Sequence, residues 1–87
     1  MFTEDQSMIS LRYLFNRGTV ICSEIADHTG IDVAIVEEIM SSSVPVDFVR
    51  YYSNPPSYIL TSTGEHALKV YSLRKYIEFH GGMAETF

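Results

Sequence analysis

Residues 23–40 read SEIADHTGIDVAIVEEIM, and whether they make one helix or two decides the fold. Two helices use the polar residues best. The first runs from about Ser23, a residue type suited to an N-cap, to Thr29, and Gly30 closes it as a left-handed cap. The second opens on Asp32 as its cap and runs to about Ser42. Its apolar stripe is Val33, Val36, Ile39 and Met40. The serines at 41–43 and then Pro45 end it, because proline disfavours a helical residue before it. Ala26 is small enough for a close helix crossing, and Gly30 supplies the positive φ that a tight turn wants. Ile25, Ile31, Val36 and Ile39 fall at the inward positions around that angle.

Outward from this pair the chain keeps its period of 3.6 on one side and loses it on the other. On the N-terminal side, DQSMISLRYLFNR, residues 5–17, is expected to be helical, with Met8, Leu11, Leu14 and Phe15 on one stripe. Ser7 or Asp5 is the expected cap, and Gly18 the stop. TVI, residues 19–21, is short and β-branched, as in a brief extended segment. On the C-terminal side, VDFVRYY at 46–52 and SYIL at 57–60 alternate like strands around SNPPS. They predict a hairpin with a loop of five residues or slightly more. Helical spacing returns at 61–80, capped by Thr61 or Thr63 and ended by Gly81 and Gly82. The expected fold class is mainly α with a small β-hairpin (α+β), in the order α-β-α-α-β-β-α, as a single domain over 1–87. It holds a helix-turn-helix at 23–42, a wing at 46–60 and a C-terminal helix at 61–80.

YILTSTGEHAL, residues 58–68, carries a more specific signal. Tyr58, Leu60, Thr61, Gly64 and Leu68 match the pattern Y-x-L-T-x-x-G-x-x-x-L. The chain over about residues 8–68 thereby resembles the bacterial winged helix-turn-helix regulators of the multiple-antibiotic-resistance type. In these the second wing strand runs straight into a C-terminal helix. The resemblance implies a winged-helix fold, DNA binding and transcription regulation. It also implies a major-groove role for the second motif helix, and a homodimer built from the first and last helices.

Composition pulls against part of that. The formal net charge is −5, and most non-specific DNA affinity comes from cations on phosphates. The outward positions of the third helix are Ala34, Glu37, Glu38 and Ser41, with Ile35 and Ser42 beside them. None is Arg, Lys, Asn or Gln, the usual base readers. The expected DNA-binding residues are therefore Arg50, Tyr52 and Asn54 in the wing, with Ser41 and Ser42 on the third helix. Double-stranded DNA is the first partner that the sequence offers. The alternative is an acidic protein–protein interaction module, such as an adaptor, inhibitor or complex subunit, whose partner binds the third helix. For the wing the plainer reading is that Phe48 and one tyrosine pack inward while Arg50 lies at the surface.

The last helix has two apolar stripes. Gly64, Ala67, Leu68 and Tyr71 are expected to face the core. Val70, Leu73 and Ile77, flanked by Tyr76 and His80, form the second. With Ile9 and Tyr13 of the first helix they are the expected dimer interface; the alternative is that the first helix covers the stripe within one chain. His28, His66 and His80 lack ligand spacing, and Cys22 is alone, which points to no metal site and no disulfide. No catalytic arrangement or cofactor motif is found, so the chain is not expected to be an enzyme. No apolar run is long enough to span a bilayer. MFTEDQSM is not a secretory leader, and a cytoplasmic location is expected.

Overall fold

The computed structural model of the chain describes residues 1–79. It contains α1 (Glu4–Arg17), α2 (Cys22–Thr29), α3 (Val33–Ser43), β1 (Val49–Ser53), β2 (Pro56–Leu60) and α4 (Ser62–Phe79). Among the described residues the class is α+β: four helices and one two-stranded antiparallel hairpin. The Gly81 and Gly82 stop expected for the last helix, and His80 beside it, lie outside the described residues.

Residues 23–40 are two helices. Gly30 sits at φ 76°, ψ 7°, and its amide donates to the Ala26 carbonyl at 3.0 Å. Glycine reaches this left-handed conformation without a Cβ clash. Two residues on, the Asp32 carboxylate accepts from the Ala34 amide at 2.8 Å and starts α3. Ser23 does not cap α2. That place falls to Ile21, which makes no side-chain cap bond, because the helix begins at Cys22, two residues before the Glu24 that a Ser23 cap would start. In α1 the cap is Thr3. Its hydroxyl accepts from the Gln6 amide and the Gln6 side chain accepts from the Thr3 amide. This reciprocal box satisfies two orphan donors, which neither Asp5 nor Ser7 alone would do. Asp5 lies in the first turn and Ser7 is buried.

The core joins Met8, Leu11 and Leu14 of α1 to Val20, Ile25, the Val36–Ile39–Met40 row of α3, Val49 and Leu68. Ala26, Ile31 and Phe48 pack half-buried against it. Two stripe residues depart from expectation. Phe15 is 52% exposed and Val33 43% exposed. Phe15 follows Leu14 by about 100° of helix rotation, which turns its ring out to a groove beside α4. Val33 opens α3 ahead of the buried turn and faces a groove as well.

The hairpin is tighter and shorter than its sequence suggests. Val49 pairs with Leu60 and Ser53 with Pro56, so only Asn54 and Pro55 turn the chain, and the peptide between them is cis. Pro56 is tolerated because it is the first residue of its strand. Residues 46–48 are not strand: Asp47 has φ 61°, which breaks the extension. The expected strand at 19–21 shrinks to one bridge, in which Val20 and Tyr58 exchange both backbone hydrogen bonds. Thr61 caps α4 by accepting from the Gly64 amide at 3.0 Å, and it donates to the Asp47 carbonyl. That clasp fixes α4 to the base of the hairpin.

Candidate nucleic-acid interface

The hairpin has two faces, and strand alternation assigns them. Arg50 and Tyr52 share one. With Ile59, Leu60, Thr61 and Ser62 they line a shallow groove of about 220 Å³. Tyr51 takes the other face, opposite Tyr58, and the ring centroids lie 5.0 Å apart. This face looks towards α2 and α3 across a larger groove of about 560 Å³, which Val33, Glu37 and Ser41 also line.

The sequence-derived DNA contacts therefore do not converge. Arg50 and Tyr52 are neighbours on one hairpin face, and Asn54 is exposed at the turn. Ser41 lies in the groove on the opposite face. Ser42 is exposed in the last turn of α3. The groove residues Tyr51, Tyr58, Val33 and Glu37 are the ones that sequence reasoning did not gather. The alternation of VRYYS against PSYIL carries the signal for the tyrosine pair, once the two-residue turn fixes which residues face each other.

Charge is distributed unevenly. Of the six Lys and Arg side chains, four sit in ion pairs: Arg17 with Glu24, Lys69 with Glu65, Arg74 with Glu4, and Lys75 with Asp5 and Glu78. Arg12 reaches the Ser72 hydroxyl at 3.4 Å. Arg50 has neither an ion pair nor a hydrogen bond among the described residues. Among the described acids Asp27, Asp32, Asp47 and Glu37 have no cationic partner. Each described glutamate has a cationic partner except Glu37; even Glu38 holds the N-terminal ammonium at 2.9 Å. Glu37 projects its charge into the larger groove. Burial first, and then the Glu37 carboxylate, push the Cys22 thiol upward. Burial first, then Cys22 and Tyr51, and least the Glu37 carboxylate, push the Tyr58 phenol upward as well. A thiol raised in this way is a poor nucleophile at neutral pH.

The expected dimer residues occupy two separate helices. On α4, Val70, Leu73, Tyr76 and Ile77 are exposed, with Leu73 at 62%. Helix α1 does not cover them: the polar contacts of α1 with α4 are Asp5 with Tyr71 and Lys75, Glu4 with Arg74, and Arg12 with Ser72. Ile9 is exposed on α1. Tyr13 is turned to α2, where its hydroxyl donates to Glu24 at 2.5 Å and its ring stacks on His28 at 5.1 Å. Among the described residues no three His, Cys, Asp or Glu side chains gather to hold a metal. No helix there is long and apolar enough to cross a membrane. No protein-family model matches this chain, and no curated protein matches it.

Proposed function

We propose that the chain is a winged helix-turn-helix domain of the cytoplasm that binds double-stranded DNA as a homodimer and regulates transcription. The α2–Gly30–α3 angle and the β1–β2 ribbon running into α4 support the scaffold. The observation that carries the DNA contact is Arg50: an exposed guanidinium without a carboxylate partner, on the hairpin beside Tyr52 and near Asn54. An unpaired arginine on a ribbon can enter a minor groove or neutralise a phosphate, and the tyrosine and asparagine can bond phosphate oxygens. Ser42, exposed in the last turn of α3, would add a hydroxyl contact, whereas Ser41 faces the groove on the other side of the ribbon.

Gel-shift titration of random-sequence duplex at low salt tests this. Wild type should bind with strong salt dependence, and Arg50→Ala should lower the slope of log K against log salt by about one. Absence of binding at the lowest salt would remove the DNA reading.

A second reading is supported by the charge distribution. With four cations spent in ion pairs and Glu37 left without one, the α3 side of the molecule suits a basic protein surface better than a polyanion. The domain would then be an acidic interaction module, acting as adaptor, inhibitor or subunit.

A further inference from the structure

The groove between α3 and the hairpin is mostly apolar, with Cys22, Ser23 and Ser41 as neutral polar members of its lining. Val33, Ile21, Pro55, Pro56, Tyr51 and Tyr58 supply apolar and aromatic walls, and Glu37 is the only charged residue of the lining among the described residues. Its volume of about 560 Å³ lies within the range of clefts that hold a ligand group, about 300–1,000 Å³. The two prolines have no amide hydrogen to offer an anion. Glu37 repels one. The two tyrosine rings, 5.0 Å apart and inclined at 47°, present π faces and edges to the same space. A carboxylate with no internal cation, beside tyrosine rings, is complementary to a cation on an apolar stem.

We infer that this groove docks an arginine or lysine side chain of a protein segment, its charge held by Glu37 and its stem covered by Tyr51 and Tyr58. Arginine fits better of the two. Its planar guanidinium can stack on a ring while its edge donates to the carboxylate. A single carboxylate is too few ligands for a divalent ion, which wants several oxygens. The site goes beyond the DNA contact proposed above and does not depend on it, since Arg50 and Tyr52 lie on the opposite face of the ribbon.

The probe is a capped tripeptide with arginine between two leucines, titrated at low salt into the isotopically labelled full chain and followed by NMR. Shifts should concentrate at Val33, Glu37, Ser41, Tyr51 and Tyr58. Glu37→Gln should weaken the affinity by up to about fivefold, the upper range for an exposed ion pair, with an unchanged circular dichroism spectrum. Tyr51→Ala, at an exposed position, should weaken it independently. The peptide with citrulline in place of arginine should bind more weakly and ignore Glu37→Gln. Equal binding of the citrulline peptide, or wild-type affinity in both variants, would overturn the site. So would groove shifts that follow dilution of the protein alone, which would make a second copy the occupant. Groove shifts caused by duplex DNA but not by peptide would assign the groove to nucleic acid instead. Arg50→Ala leaves the peptide titration unchanged, so loss of DNA binding and loss of this site are separately visible.

Discussion

Gly64 shows how one missing side chain can position an element. A Cβ at this position would lie 2.9 Å from the carbonyl carbon of Phe48, closer still to its oxygen, and 2.7 Å from Leu60 Cδ1. The obstacle is mostly backbone, which cannot rotate away. The first turn of α4 therefore rests directly on the strand base, beside the Thr61 clasp. Gly64→Ala should cost about 2–3 kcal/mol in urea unfolding, in the range of overpacked sites. Gly30→Ala meets no atom within 4 Å and should cost about 1–2 kcal/mol from its positive φ alone. A larger loss at Gly30 than at Gly64 would refute that ranking. The caps divide in the same manner. Asp32→Ala, which removes a bonded cap, should cost about 1 kcal/mol. Ser23→Ala should change stability by less than about 0.5 kcal/mol, since Ser23 is exposed and bonds no helix amide.

Between elements, α1 is held to α4 by a polar seam. The Tyr71 hydroxyl donates to Asp5, Lys75 approaches the same carboxylate at 3.6 Å, and Arg74 meets Glu4 at 2.6 Å. The Tyr71 hydrogen bond, with help from Lys75 and Arg74, holds the Asp5 carboxyl below its usual range. A depressed carboxyl stabilises the fold fully above its unfolded pKa and loses that contribution as pH falls through the folded value. Thermal melts between about pH 5 and pH 2 should therefore fall less steeply for Asp5→Asn than for wild type. An equal slope would exclude Asp5 from the acid response. This seam was not legible in the sequence, because it joins residues at least 66 positions apart that carry no local pattern. The angle at Gly30 was legible, since glycine, aspartate and two apolar stripes agree there. The hairpin was legible as two alternating runs. Its turn was not, because SNPPS looks like loop throughout while Ser53 and Pro56 pair. For the same reason the groove face went unseen: without the register, Tyr51 cannot be matched to Tyr58. Arg50 and Tyr52 could be read as a surface pair from alternation alone, whereas the separation of Ser41 from them depends on how the ribbon lies against α3.

At the scale of the whole molecule, a core of this size is limited, and association would add to the area it buries. Val70, Leu73 and Ile77 form an exposed row at helical spacing on α4, and α1 does not cover it. Water meets this apolar row in a lone protomer, and burying it against a second copy returns the hydrophobic free energy. Leu73 is the residue to change, because its exposure means that the protomer's own packing does not need it. Leu73→Glu should place a carboxylate on both sides of a two-fold contact, where the like charges repel. Sedimentation should then find a dimer for wild type and a folded monomer for the variant. Melting temperature should rise with concentration for wild type only, since association stabilises by mass action. Should wild type already sediment as a monomer with a concentration-independent melt, the α4 row would be no homodimer surface, and DNA half-site pairing through it would fall as well. Should the variant remain dimeric, the interface lies elsewhere, and Ile9 on α1 becomes the next position to test.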